Sequence, residues 1–201
     1  MFSNVSELAE LHPDTESLTS SAVQAPDQQR AEIDSPHTSN APWYAVTVCP
    51  RHEKKVAGHL EVRGFRCFVP TYRSVRRWKD RRKELDMVLF PGYAFVKVVA
   101  GDRRAILTAP GVVRFVTCGG QPAPVAEHEI KAISASLTSG AVLQPHPYLK
   151  KGRRVRLVGG ALAGVEGILV RRKDRFRLIL SVDLIMRSVA LEVDECEVEP
   201  C

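Results

Sequence analysis

The segment Leu89-Phe90-Pro91-Gly92-Tyr93-Ala94-Phe95-Val96 constrains the fold of this chain more than any other stretch. Pro91-Gly92 is a turn pair, and the residues after it alternate in size. Side chains of a strand point to opposite faces in turn. Ala94, Val96 and Val98 therefore share one face, and Tyr93, Phe95 and Lys97 the other. The small face suits packing beneath helices. If helices cover it, the aromatic face is left to solvent as an apolar patch awaiting a partner. On parity alone the opposite reading is equally open, with Tyr93 and Phe95 as ordinary core.

The flanking sequence supplies the elements around this strand. Residues 43–48 are aromatic and β-branched, which predicts another strand. Within 51–63, Val56, Ala57 and Leu60 fall on one helical stripe, and Gly64 is placed to stop the helix. Residues 67–69 read as a short strand, and the strongly basic 72–83 as the arms and tip of a hairpin. A short helix at 102–108, a strand at 112–117, a turn at Gly119-Gly120 and a helix at 127–137 complete the set. Ile130, Ile133 and Leu137 face inward on that last helix. The order predicts an α+β class, an antiparallel sheet with helices on one face. Residues 139–149 hold Gly140, Pro145 and Pro147 and read as a linker. Five short strands follow, at 153–157, 166–172, 176–182, 187–193 and 197–198, and predict a small β-barrel whose closure removes most sheet edges. The organisation expected is a tail over 1–42, a first domain over 43–138, the linker, and a second domain over 150–201.

Charge is unevenly spread. Residues 1–42 carry seven acids against one base and little apolar periodicity, which predicts a disordered acidic tail. Residues 43–149 carry seventeen bases against eight acids, and 150–201 eleven against eight. A polyanionic neighbour is expected beside the first folded part. No apolar run reaches the ~18 residues that span a bilayer, and the N-terminus lacks the pattern of a signal peptide. The five cysteines form no C-x-x-C pair, which fits reduced thiols in a cytoplasm. No phosphate-binding glycine loop, nucleophile elbow or metal-ligand spacing occurs. Neither catalysis nor a cofactor nor a metal is expected.

The strands at 43–48 and 89–96, followed by Gly152-Arg153-Arg154-Val155-Arg156-Leu157 and Gly164-Val165-Glu166-Gly167, resemble the NusG family of transcription elongation factors. The first two match the core strands of its N-terminal (NGN) domain and the third its KOW motif, an SH3-like β-barrel. The resemblance covers residues 43–200. It implies that Phe90, Tyr93 and Phe95 grip the clamp helices of the largest RNA polymerase subunit. It also implies that Asp102, Arg103 and Arg104 approach the gate loop of the other large subunit. The KOW residues it assigns are Gly152, Arg154, Val155, Arg156, Gly164, Glu166 and Gly167. They imply a small-subunit ribosomal protein as partner of the second domain.

Two basic stretches are candidates for nucleic acid. Lys55, His59 and Arg63 lie four apart on the helix at 51–63, with Arg51 and Lys54 beside them. Bases there contact phosphates, and His59 or Arg63 touches an unstacked base; the bland reading is a solvated face. The helix resembles that of the specialised paralogue RfaH, which reads the non-template DNA strand. Val62 and Ala109-Pro110 depart from that pattern, so a different DNA element is implied. In the hairpin, Arg76, Arg77, Trp78, Lys79, Arg81 and Arg82 point to upstream DNA or nascent RNA, Trp78 stacking on a base. Housekeeping NusG carries Phe-Gly-Arg-x-Thr-Pro before its fourth barrel strand. Here the region reads Leu184-Ile185-Met186-Arg187-Ser188-Val189. That departure implies a paralogue of the RfaH, UpxY or LoaP kind acting on selected operons, and argues against Rho as a partner. The alternative reading is a KOW-type RNA-binding protein of ribosome assembly or translation.

Overall fold

The computed structural model describes residues 41–77, 82–172, 175–194 and 197–201. Trp43–Val48 (β1) is followed by Glu53–Val62 (α1), Cys67–Phe68 (β2), Thr71–Arg77 (β3), Arg82–Val88 (β4) and Tyr93–Lys97 (β5). Then come Arg103–Leu107 (α2), Val112–Phe115 (β6), Thr117–Cys118 (β7), Gln121–Pro122 (β8), Pro124–Val125 (β9) and Glu127–Thr138 (α3). The first sheet runs β2-β5-β1-β6, with β9 also paired to β1. All its pairings are antiparallel, with Tyr44 opposite Val96 and Val46 opposite Ala94. β3 and β4 form a separate two-stranded hairpin.

This sheet is apolar on both faces, so it must be covered twice. Tyr44, Val46, Val48, Ala94, Val96 and Val98 pack with Val56 and Leu60 of α1 and Ile106 of α2. Each such large side chain, once buried, contributes roughly 1.5–3 kcal/mol. Trp43, Ala45 and Phe95 on the other face join Phe90, Val125 and the α3 residues Ile130 and Ile133. The α+β class holds, but the helices divide between the faces rather than sharing one. The amphipathic period of 127–137 could not say which face α3 would take. Helix α1 stops as expected: Gly64, at φ +84°, donates its N–H to the Glu61 carbonyl at 2.9 Å.

The second sheet consists of Gln144–His146 (β10), Arg153–Leu157 (β11), Glu166–Arg172 (β12), Arg175–Val182 (β13), Arg187–Val193 (β14) and Val198–Pro200 (β15). Its order is β10-β14-β13-β12-β11-β15, six strands rather than five. The extra strand comes from the stretch expected as a linker: Gln144, Pro145 and His146 pair with Ala190, Val189 and Ser188. Pro145 is tolerated because β10 is an edge strand. Further stitches follow. Ser181 Oγ donates to the Leu149 carbonyl at 2.9 Å, Leu149 N–H to Ser188 Oγ at 3.2 Å, and Tyr148 O–H to Asp183 Oδ1 at 3.1 Å. Val155, Leu157, Leu178, Leu180, Val182, Val189 and Leu191 fill the inner side, in one cluster with Ile133 and Leu143. Ile168, Ile179 and Ala190 occupy the outer side with Leu149 and Val170.

Candidate functional site

The Pro91-Gly92 turn sets up the aromatic site. Gly92 sits at φ +83°, donates its N–H to Glu53 Oε1 at 2.8 Å, and accepts from Val48 N–H at 2.9 Å. Tyr93 N–H closes the turn on the Phe90 carbonyl at 3.1 Å. Phe90 and Phe95 meet edge to face at 5.6 Å between ring centroids, a favoured aromatic geometry. Both are buried, at 2% and 0% exposure. The expectation that Phe95 faces solvent is therefore corrected: α3 and Phe90 cover that face, and the core reading of parity holds for it. Tyr93 stays half-buried, as do Phe68 and Tyr72, and all three pack against the same cluster. Phe68 lies 6.2 Å from Phe95 and 6.3 Å from Trp43. Lys97, at the far end of the strand, is buried with its Nζ 5.6 Å from the Trp43 ring and 3.9 Å from Glu127 Oε1.

The hairpin extends this surface. Its register puts Tyr72 opposite Met87 and Ser74 opposite Leu85 on one face. The other face carries Arg73 opposite Asp86 and Val75 opposite Glu84. Phe68, Tyr72, Leu85 and Met87 were not singled out from the sequence. The alternation of Tyr72 and Ser74 against Leu85 and Met87 is the signal that would have found them. Arg76, Arg77 and Arg82 belong to the hairpin strands, but their side chains, together with Trp78, Lys79 and Arg81, lie outside the described residues.

On α1 and at its two ends, Arg51, Lys54, Lys55, His59 and Arg63 are all exposed. Two of them are tethered. Lys54 Nζ donates to the Asp86 carbonyl at 3.2 Å, which brings α1 against the basic hairpin. Arg63 donates to the Ala105 carbonyl at 3.1 Å and to Thr108 Oγ1 at 3.2 Å, capping the end of α2. Arg51 follows Pro50 at φ +65°, in a turn closed by His52 N–H on the Cys49 carbonyl. Lys55 and His59 are exposed on the same side as Val62, itself 91% exposed. At α2, Arg103 stacks on the Tyr44 ring, 4.6 Å from its centroid, and donates to the Tyr44 hydroxyl. It is thus engaged within the fold, whereas Arg104 is exposed and Asp102 half-buried. Burial pushes the Cys67 thiol up to about 12, helped by Glu61, so it carries no thiolate at neutral pH.

The glycine-rich motif of the second sheet is mainly scaffold. Val155 is core, and Arg156 and Glu166 face each other across β11 and β12 as an ion pair. Arg156 holds the Glu166 carboxyl below its ordinary range by hydrogen bond and charge. Gly164 sits at φ +86° before β12. A side chain at Gly167 would meet the Ile179 carbonyl at 2.7 Å, and one at Gly152 would meet Ile168 Cγ2 at 2.4 Å. Arg154 is exposed, and its charge also acts to lower the Glu166 carboxyl.

Residues 41–134 match the family model described as NusG, transcription termination factor nusG. This part of the chain is a NusG-family domain. The transcription termination/antitermination protein NusG of Thermus thermophilus is 27% identical over 177 residues, covering 78% of this chain and 96% of that protein. Its namesake in Lactococcus lactis is 28% identical over 172 residues, covering 78% and 91%. The solved NusG of Thermotoga maritima aligns over 79% of this chain and 96% of its own, at 22% identity and a TM-score of 0.45. The NusG family match spans β1 to α3, the part that carries the aromatic and basic surfaces. Among the described residues, no cluster of three His, Cys, Asp or Glu is placed to hold a metal, and no helix is long and apolar enough to cross a membrane.

Proposed function

We propose that this protein is a transcription elongation and antitermination factor, a binding protein rather than an enzyme, that docks on RNA polymerase through the rim around Tyr93. The NusG-family domain supports the class. The observation that carries the docking surface is the half-buried Phe68, Tyr72 and Tyr93 around a floor of buried Phe90 and Phe95. Such a rim offers apolar area on a rigid base, the pattern of an interface anchor. In this reading the clamp helices of the largest subunit seat on the rim, with Phe90 and Phe95 shaping it from below. Arg104 and Asp102 approach the gate loop of the other large subunit, while Arg103 positions α2 through Tyr44. Binding both points favours the closed polymerase by population shift, since the factor need only bind that state better.

The basic surface joining α1 to the hairpin lies beside the non-template DNA strand or nascent RNA, its lysines and arginines on phosphates. The second sheet recruits a small-subunit ribosomal protein. The stretch Leu184-Ile185-Met186-Arg187-Ser188-Val189 supports a specialised paralogue for selected operons that does not use Rho, working in the cytoplasm.

The test is binding to core RNA polymerase by the full chain. Tyr72→Ala with Tyr93→Ala should weaken binding at least tenfold while leaving the thermal unfolding midpoint within a few degrees. Unchanged binding would remove the rim from the interface. No binding by wild type would turn attention to RNA.

A further inference from the structure

Helix α2 is too short to stand alone. It has five residues, Arg103–Leu107, and isolated helices below ~12–15 residues are marginal in water. Pro110, with no N–H, cannot carry it further. Its apolar anchors are few: Ile106 at 0% exposure, with Ala109 at 2% just past its end. Where α2 sits is therefore set by what ties it to its neighbours.

Arginines tie it at both ends. At the start, Arg103 stacks on the Tyr44 ring and donates to its hydroxyl. At the finish, the Thr108 N–H goes to the Arg104 carbonyl at 3.2 Å and the Ala109 N–H to that of Ile106 at 3.1 Å. The Ala105 carbonyl between them accepts from Thr108 Oγ1 at 2.9 Å and from Arg63 Nη1 at 3.1 Å. The same Arg63 nitrogen donates to Thr108 Oγ1 at 3.2 Å. Three groups thus close on one another, with a positive charge where the last carbonyls of the helix collect. A planar guanidinium holds its donors in fixed directions, whereas a lysine would keep only the charge, on a flexible stem.

Arg63 also stands apart from the basic surface shared with the hairpin. It caps one end of α1, and Lys54, whose Nζ meets the Asp86 carbonyl, lies at the other. The separation is roughly 13 Å at 1.5 Å per residue.

We propose that Arg63 is a positioning residue rather than a nucleic-acid contact: it fixes α2 so that Arg104, exposed on that helix, is presented to the polymerase. The role rests on α2 meeting the polymerase, as proposed above, but the tether does not.

The experiment uses the full chain and two readouts. One is affinity for core RNA polymerase free of any nucleic acid. The other is amide hydrogen exchange at Thr108 and Ala109 in the unbound protein. Arg63→Ala should speed that exchange at least fivefold, leave the β1 amides unchanged, and weaken polymerase binding at least threefold. Thr108→Val removes the shared hydroxyl and should do the same. The double variant should go no further than the stronger single one, since both cut one cluster. Arg63→Lys should restore neither readout. Lys151→Ala, which removes an exposed cation just before β11, should stay within twofold in both. Full rescue by lysine would make Arg63 a plain charge contact and overturn the proposal. So would wild-type affinity of Arg63→Ala for polymerase without nucleic acid, whatever its exchange rate. Unchanged exchange would remove the tether, and the proposal with it. Wild type that fails to bind polymerase would overturn the role together with the polymerase reading beneath it, while the exchange rates alone would still report the tether.

Discussion

Glu53 Oε1 accepts the Gly92 N–H at 2.8 Å, and the glutamate that does so is only 4% exposed. A carboxylate at the first position of a helix complements the helix dipole, and this one also ties α1 to the turn that launches β5. One side chain thus couples the two segments from which the proposed polymerase and nucleic-acid surfaces are built. Glu53→Ala leaves the Gly92 N–H without its partner and should cost about 1–3 kcal/mol. Glu53→Gln keeps an acceptor oxygen and should cost less. Chemical denaturation of the two variants separates the cases: equal losses would show that the hydrogen bond is not what the site needs.

Phe95 and Tyr93 are two residues apart and on one face, yet they should behave oppositely. Phe95→Ala empties a buried ring position and is expected to cost about 3–5 kcal/mol. Tyr93→Ala removes a half-buried ring at the rim and should cost well under half of that. Urea midpoints for the two single variants check this. A binding defect in Phe95→Ala would therefore report lost fold before it reported lost contact.

The two glycines of the second sheet that sit under close neighbours should differ in tolerance. At Gly167 a methyl group meets the backbone carbonyl of Ile179, which cannot rotate away. Gly167→Ala should destabilise by about 1–3 kcal/mol, the usual cost of overpacking. At Gly152 the obstruction is Ile168 Cγ2, a branch methyl on a stiff side chain 2.4 Å away, and the backbone sits at φ +157°, where an L side chain is strained. Gly152→Ala should therefore cost more, and thermal melts would rank the pair. The reverse ranking would refute the geometry.

Acid should weaken the protein through Glu166 and Glu192. Hydrogen bonds from Arg156, and from Arg175 and Arg177, hold these carboxyls below the ordinary value of 4.5. A depressed carboxylate stabilises above the unfolded value, and that contribution is lost as pH falls through the folded one. Glu129 runs the other way, its carboxyl raised by burial and by Asp183, although the Asp183 amide and His128 oppose the rise. Its contribution is present below 4.5 and lost as pH climbs through the raised value. Glu129→Gln should therefore flatten the stability profile just above pH 4.5 and raise stability at neutral pH. Glu192→Gln should flatten it on the acid side. Melting temperatures from pH 3 to 8 would show either slope.

Most strands were legible from the chain because each is a short run of alternating or continuous apolar residues. The five strands beyond residue 150 are examples, and Gly64 marked the stop of α1. Gln144–His146 was not, because a strand with Pro145 at its middle carries no propensity signal and exists through its partner Ser188–Ala190. Arg63 and Arg103 read as free cations, and only the approach of α1 to α2 and of α2 to Tyr44 shows them engaged.

By itself the sequence determined which residues form strands and helices, the parity of each strand, and the resemblance of its motifs to the NusG family, since these depend on local spacing. Only the tertiary structure decided that α3 covers the aromatic face, that Phe95 is core while Tyr93 stays at the rim, and that the basic helix meets the basic hairpin. Parity divides side chains between two faces, but what covers a face is a long-range packing choice, and no local pattern records it.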